Sequence, residues 1–130
     1  MSSYLLKKYN IEEWNLNQFM SFVLIYAAYS DGMVMDDELI VVEKTVGAIP
    51  SLEARRLLDD LDEMERLDII VAFKSKFFAT KDEQKKILSE IKRIYKSDGD
   101  YSNVEKQTYK ALENIFQVPY KFKTLINFNC

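Results

Sequence analysis

The sequence predicts an all-α protein, a single bundle of six or seven helices in one domain over residues 1–130. Apolar residues recur at spacings of three and four along nearly the whole chain, and no useful stretch alternates as a strand would. The chain has only three glycines and two prolines, too few for the turns of a many-stranded sandwich or barrel. Its length of 130 residues is that of one typical domain.

Two helices are predicted in the first part of the chain. The first runs from Gln18 to about Ser30, with Asn15 or Asn17 as its N-cap. Its apolar residues cover almost the whole circumference, so we expect it to be the most buried helix. The second runs from Asp36 to about Ala48, although its β-branched residues would also suit a strand. Its expected inner face consists of Leu39, Ile40, Val42, Val46 and Ile49.

The remaining helices are predicted from their start signals. Pro50 is expected to break the chain, and Ser51 to cap a short helix carrying Leu52, Leu57, Leu58 and Leu61. Three capping boxes then each open a helix, at Asp62-x-x-Glu65, Thr80-x-x-Glu83 and Ser102-x-x-Glu105. The second box precedes an apolar stripe made of Ile87, Leu88, Ile91, Ile94 and Tyr95. The segment from Tyr120 to Phe128 is expected to form a last short helix or a packed tail.

Two stretches of the chain resemble each other at a separation of 67 residues. Ser30-Asp31-Gly32 corresponds to Ser97-Asp98-Gly99, and in each copy an apolar residue stands two places after the glycine. A glutamate follows each aspartate by seven places, at Glu38 and Glu105. Each copy continues as an apolar helix that ends at a proline. The sequence therefore predicts a duplicated helix-turn-helix unit.

Each position of the repeat has a predicted structural role. Gly32 and Gly99 suit a left-handed cap at the end of the preceding helix. Glu38 and Glu105 should lie in the first turn of the next helix, where a carboxylate favours the dipole and can reach back to the cap. In the second copy Ser102 completes the box, whereas the first copy has Met35 at that place.

The repeat also matches the second half of an EF-hand loop, but calcium binding of that kind is excluded. The first and third loop positions would be Ala27 and Tyr29 in one copy and Ile94 and Lys96 in the other. Calcium takes six to eight oxygen ligands, and neither loop offers enough.

The residues Ala27 to Val34 with Glu38, and Ile94 to Tyr101 with Glu105, resemble the TerB-like family. This is the all-helical domain of bacterial tellurite-resistance operons, and the N-terminal region of membrane-anchored DnaJ-type co-chaperones shares its fold. The resemblance extends over roughly Gln18 to Leu125. It implies a TerB-like helical bundle. The co-chaperone activity itself is not expected, because a J-domain needs a His-Pro-Asp motif and the chain has no histidine.

The resemblance also implies that the paired acids of the two copies approach each other and hold a divalent cation. The candidate metal ligands are Asp31, Glu38, Asp98 and Glu105, with Asp37 or Asp100 as auxiliaries. Carboxylates suit calcium, magnesium or manganese. The alternative is that the same acids only cap helices and form salt bridges, in which case no cofactor is needed.

Composition excludes several classes of chemistry and indicates a compartment. Without histidine there is no Ser-His-Asp or Cys-His mechanism, and the commonest zinc ligand is missing. One cysteine, Cys130, cannot form an internal disulfide. The longest apolar run, Phe19 to Tyr29, is far shorter than the ~20 residues of a membrane span, and the first residues lack a signal-peptide core. We expect a cytoplasmic protein with no membrane segment.

The charge is unevenly distributed along the chain. Twelve acids and four bases lie between Asp31 and Asp68, whereas twelve bases and seven acids follow from Ile69 onward. Such asymmetry can steer a partner or favour head-to-tail association, although charges that simply coat solvated helix faces would give the same counts. No cluster of lysine and arginine is prominent enough to predict nucleic-acid binding.

We expect a non-enzymatic module that binds an unidentified protein partner, in the stress-response setting that the family resemblance implies. A divalent-cation-binding or sensing domain is the alternative. A hydrolase using Asp31 and Glu38 as acid and base is a weaker third hypothesis, since no phosphate loop or cleft is indicated. Aromatic residues near both ends are expected to pack together or to pair two copies as a homodimer, and they are Tyr4, Tyr9, Trp14, Tyr120, Phe122 and Phe128.

Overall fold

The computed structural model describes residues 2–30, 36–97 and 102–117, and within these ranges it contains seven helices and no strand. The all-α prediction is confirmed. The helices are α1 (Ser2–Lys8), α2 (Leu16–Ala28), α3 (Asp36–Val46), α4 (Ala48–Asp60), α5 (Glu63–Phe77), α6 (Lys81–Lys96) and α7 (Asn103–Gln117).

Helix α2 forms the centre of the bundle, and α3, α4, α5, α6 and α7 all pack against it. Its side chains from Phe22 to Ile25 are completely buried, as the apolar circumference predicted. The Asn15 side chain accepts a hydrogen bond from the Gln18 amide at 2.9 Å and caps the helix. Asn17, the alternative cap, instead donates to the Val46 carbonyl at 2.9 Å and ties α2 to the end of α3.

All three predicted capping boxes are present. At the start of α5, the Asp62 carboxylate accepts from the Glu65 amide at 2.8 Å, and the Glu65 side chain accepts from the Asp62 amide in return. Thr80 and Glu83 make the same reciprocal pair before α6. The local sequence alone fixes these starts, because each box satisfies backbone donors that the first helical turn leaves unpaired.

The junction between α3 and α4 corrects the prediction around Pro50. Helix α4 begins at Ala48 rather than after Ser51, and Pro50 lies in its first turn, where a missing N–H costs nothing. The break comes earlier, at Gly47, whose φ of 100° is in the region that favours glycine. Ile49, predicted for the inner face of α3, therefore belongs to α4 and is 73% exposed. Ile40, also predicted for that face, is 47% exposed because Glu38, Val42 and Val46 form the buried side of α3.

Helix α1 was not predicted from the sequence. It ends in a Schellman turn, in which the Ile11 amide donates to the Leu6 carbonyl and the Asn10 amide to the Lys7 carbonyl. Asn10 has a φ of 56°, a left-handed conformation that asparagine tolerates better than most residues. Asn10 and the two lysines of the last turn were the available signals for this helix.

The aromatic residues near the N-terminus are divided between core and surface. The Trp14 ring lies 5.4 Å from that of Phe22 and 5.2 Å from that of Phe73, so it belongs to the core edge. Tyr4 is 65% exposed and does not take part in such packing. Their expected partners near the C-terminus lie outside the described residues, so packing between the ends stays a prediction.

None of the described helices is long and apolar enough to span a membrane. The most buried of them, α2, has only 13 residues, well below the ~20 that a bilayer requires.

Candidate functional site

The predicted metal ligands fall partly outside the described residues. Asp31 and Asp98 lie there, together with the auxiliary Asp100 and the two motif glycines. The structure describes Glu38, Glu105 and the auxiliary Asp37. The site can therefore be built up only from the two glutamates and from the helix ends that lead into the motifs.

Glu105 acts as a capping residue in the second copy. It is the third residue of α7 and only 2% exposed. One of its carboxylate oxygens accepts from the Ser102 amide at 2.9 Å, and the Ser102 hydroxyl accepts from the Glu105 amide at 3.1 Å. The predicted capping role is thus confirmed, and it engages one carboxylate oxygen with the backbone.

Glu38 has the equivalent place in the first copy. It is the third residue of α3 and 1% exposed. With Asp36 and Asp37 it puts three acids into the first turn of α3, where they favour the positive end of the helix dipole. Met35, which stands where the second copy has the capping Ser102, lies outside the described residues, and the described part of the chain shows no side-chain cap from Asp36, the first residue of α3. The two glutamates of the repeat are hence matched in both helix position and burial.

The helix ends that precede the two Ser-Asp-Gly motifs lie next to each other. The Tyr95 hydroxyl of α6 is 3.4 Å from the Ser30 hydroxyl, which follows α2. Tyr95 is completely buried, and α2 and α6 pack together along this side. Ser30 directly precedes Asp31, and Tyr95 comes three residues before Asp98. The chain thus enters the two motifs from neighbouring points.

Among the residues that the structure describes, no group of three or more histidine, cysteine, aspartate or glutamate side chains is arranged to hold a metal ion. Two of the four predicted ligands, Asp31 and Asp98, lie outside these residues. The divalent-cation site therefore stays a prediction.

A second feature is a groove that the sequence did not predict, called here the α4 groove. It lies between the connection from α1 to α2 and the first half of α4, and it has a volume of about 300 Å³. Its apolar lining includes Tyr9, Trp14, Pro50 and Leu57. The Trp14 ring is held against Phe22 and Phe73, so this wall of the groove is rigid.

The α4 groove is acidic at its rim. Glu13 and Glu53 are exposed lining residues, and no lysine or arginine belongs to the described lining. Two large apolar side chains of α4 are also exposed, Ile49 by 73% and Leu52 by 43%. Helix α4 therefore carries exposed apolar area next in sequence to the acidic groove residue Glu53, while its exposed Arg56 does not line the groove.

Comparison with known protein families, curated proteins and solved structures gives no match to this chain. The TerB-like resemblance accordingly stays a prediction that rests on the motifs themselves. The sequence signal for the α4 groove is Gly47 followed by Pro50, a pair that can begin a helix at Ala48. The large apolar residues Ile49 and Leu52 in the first turns of that helix are exposed.

Proposed function

We propose that the chain is a non-enzymatic protein-binding module whose α4 groove docks an amphipathic, basic segment of a partner protein. The observation that carries the proposal is the exposed apolar area at Ile49 and Leu52 beside a groove with an acidic rim. Exposed apolar side chains grouped around a concave, partly rigid surface are typical of protein-interaction sites.

The partner's chemistry follows from the lining of the groove. Its apolar floor suits one or two large aliphatic or aromatic side chains, which binding would desolvate against Trp14 and Leu57. Glu13 and Glu53 favour lysine or arginine on either side of those anchors. The acidic excess between residues 31 and 68 increases the attraction for the same kind of segment.

Peptide selection on the full chain tests the proposal. A displayed library of random short peptides is expected to yield sequences that combine an aromatic or aliphatic anchor with lysine or arginine. Glu53→Lys should weaken their binding roughly tenfold, the equivalent of about 1.4 kcal/mol. Glu43→Lys is the matched control, because Glu43 is an exposed acid of α3 that does not line the groove. Selected peptides without basic residues, or equal binding to both variants, would contradict the proposal.

A divalent-cation-binding or sensing site is the second candidate function, and the contact between Ser30 and Tyr95 favours it. Because that contact joins the ends of α2 and α6, Asp31 and Asp98 follow from neighbouring points of the bundle. Glu38 and Glu105, both buried, begin the helices after the motifs. Together they would offer carboxylate oxygens suited to calcium, magnesium or manganese.

Thermal unfolding with and without millimolar concentrations of each cation tests this second candidate. A bound cation stabilises the folded chain, so the melting temperature should rise with the matching ion. The double substitution Asp31→Asn/Asp98→Asn should abolish the rise. No shift with any of the three cations would refute the site, while leaving the α4 groove proposal untouched.

The cellular setting belongs to the same proposal. The TerB-like motifs support a role in a stress response, and the absence of an internal disulfide pair supports a cytoplasmic location. A solved structure of the chain that superimposes on a TerB domain over both repeats would support the family assignment, and a different helix order would overturn it.

A further inference from the structure

Helix α6 presents a row of basic residues to the solvent. Its apolar residues form one stripe that faces the bundle, and they are Ile87, Leu88, Ile91, Ile94 and Tyr95. Between Lys85 and Lys96 the helix has five bases and one acid. Four of these bases are exposed, and the fifth, Lys92, is half-buried. Helical periodicity therefore gathers on one side of α6 the charges that alternate with apolar residues in the sequence.

The acids of α6 leave the lysines of this row unpaired. Glu90, the acid within the row, forms a salt bridge with Arg93, which also donates to the Thr45 hydroxyl of α3. Glu83 takes part in the capping box before α6. The four lysines of the row form none of the salt bridges seen among the described residues, and they are Lys85, Lys86, Lys92 and Lys96. Their positive charge is therefore available to a partner.

Helix α7 extends the basic surface of α6. The two helices pack together, and the Lys92 ammonium lies 5.0 Å from the centroid of the Tyr109 ring of α7. Lys106 and Lys110 stand three residues before and one residue after Tyr109, and both are exposed. The resulting surface is called here the α6–α7 basic face, and it consists of Lys85, Lys86, Lys92, Lys96, Lys106 and Lys110.

The exposed acids of the chain are concentrated on other helices. Six of them lie on α3 and α4, and they are Asp36, Asp37, Glu43, Glu53, Asp59 and Asp60. Helix α4 packs against α2 and α3, whereas α7 packs against α6 and α2. The net charge of −3 therefore does not describe the α6–α7 basic face, where the charge is positive. An uneven distribution of this kind orients a protein on a charged surface.

We propose that the α6–α7 basic face binds the surface of an anionic lipid bilayer. Its six charges are lysine ammonium groups, which act as point charges and suit a surface of distributed negative charge. Clusters of four to eight bases on an amphipathic helix are typical of contact with anionic lipids. None of the six lysines lines the α4 groove, so this inference goes beyond the proposed function and does not depend on it.

The same surface is less suited to nucleic acid. Recognition of individual phosphates favours the planar fork of arginine, and Arg93 of α6 is already engaged by Glu90 and Thr45. Single-stranded bases stack on exposed aromatic rings, whereas Tyr109 is half-buried and the Lys92 ammonium lies over its ring. A bilayer requires neither feature.

The binding is expected to be electrostatic rather than insertive. No large apolar side chain of α6, which the structure describes in full, is exposed. Each lysine close to an anionic bilayer strengthens binding by a factor of about five. Salt screens such contacts, since the Debye length falls from about 10 Å at 0.1 M to about 3 Å at 1 M ionic strength.

Co-sedimentation of the full chain with lipid vesicles tests the proposal. At low salt the chain should bind phosphatidylcholine vesicles that contain phosphatidylserine, and equally those that contain the same fraction of phosphatidylglycerol. It should not bind vesicles of phosphatidylcholine alone, and about 1 M salt should release it from the anionic vesicles. Failure to bind either anionic vesicle, or binding that survives the high salt, would overturn the proposal.

Charge-reversal variants identify the surface that binds. Lys85→Glu/Lys86→Glu changes two exposed positions of α6 and should weaken binding at least about thirtyfold. Lys7→Glu/Lys76→Glu is the matched control, because it makes the same change of net charge at exposed positions of α1 and α5. Equal losses in both variants would overturn the proposal, because net charge rather than this face would then govern binding.

Two further measurements cover misfolding and the competing partner. Lys110→Glu changes only α7 and should weaken binding at least about fivefold even where the α6 variant fails to fold, so unchanged binding would count against the face. Duplex DNA added at equal negative charge should leave the chain on the anionic vesicles. Release of the chain by the DNA would overturn the proposal in favour of a nucleic-acid interface.

Discussion

The two copies of the repeat use the same turn sequence in very different surroundings. In the first copy, α2 has helices on all sides, and Ile25 is completely buried. In the second copy, α6 packs against α2, α3 and α7, and the residue equivalent to Ile25 is the partly exposed Lys92. The repeat spacing of 67 thus pairs a core residue with a charged one.

The small and large residues of the two copies are also exchanged. Ala27 and Ala28 in α2 correspond to Ile94 and Tyr95 in α6, and all four are buried. The small residues of α2 leave room for neighbouring helices, while Tyr95 extends from α6 to the Ser30 hydroxyl. The comparison shows that the turn residues specify the repeat, whereas the helix residues specify which copy becomes the centre of the bundle.

Exchanging the equivalent residues should have the largest effect. Ile25→Lys removes a fully buried side chain and leaves a charge without water, so we expect the free energy of unfolding to fall by at least about 5 kcal/mol. The reverse exchange, Lys92→Ile, should lower it by no more than about 1 kcal/mol, because the partly exposed Lys92 loses the contact of its ammonium with the Tyr109 ring, 5.0 Å from the ring centroid. Urea denaturation measures both. Similar effects of the two substitutions would show that α2 and α6 do not differ in burial.

High pH should weaken the link between α2 and α5. The Tyr26 hydroxyl donates to the Glu63 carboxylate at 2.5 Å. Burial raises the pKa of Tyr26 well above its usual value of 10.0, and the hydrogen bond and charge of Glu63 raise it further. The equivalent residue of the second copy, Arg93, instead donates to the Thr45 hydroxyl of α3 at 2.8 Å.

The sign of the pH effect follows from the protonated state that the fold favours. The unfolded chain loses the Tyr26 proton near pH 10, while the folded chain retains it. The contribution of Tyr26 to the free energy of unfolding is therefore complete below pH 10 and decreases as the pH rises above it. Urea denaturation between pH 8 and 11 measures how steeply the free energy of unfolding falls with pH, and Tyr26→Phe should reduce that slope. Burial and the nearby Glu113 raise the pKa of Tyr109 as well, so part of the slope should remain. An unchanged slope in Tyr26→Phe would contradict the assignment.

The smallest of these effects concerns the cap of the second copy. Ser102→Ala removes the hydroxyl that accepts from the Glu105 amide and should cost about 1 kcal/mol of unfolding free energy. Ser89→Ala, at an exposed position inside α6, serves as the control and should stay within about 0.5 kcal/mol of the unchanged chain. A cost for Ser102→Ala no greater than that of the control would mean that Glu105 holds the start of α7 without the serine.

The parts of the fold that depend only on residues close together in the sequence could be predicted from it. The capping boxes at Asp62, Thr80 and Ser102 satisfy their donors within four residues, so their sequences are sufficient. The turn at Gly47 could not be predicted from the sequence, because a proline that breaks a chain and a proline in the first turn of a helix look the same in sequence. For the candidate cation site, the sequence predicted that Glu38 and Glu105 lie in the first turns of α3 and α7, but it did not predict their burial or the contact between Ser30 and Tyr95.

The sequence by itself determined helices α2, α3, α5, α6 and α7 and the three capping boxes, because hydrogen bonds and periodicity act over a few residues. Only the tertiary structure decided which helices surround α2, that Ser30 meets Tyr95 and that Ile49 and Leu52 stay exposed on α4. These features depend on which helix faces meet. An apolar stripe predicts that one face of a helix is buried, but it does not predict which of several similar helices packs against that face.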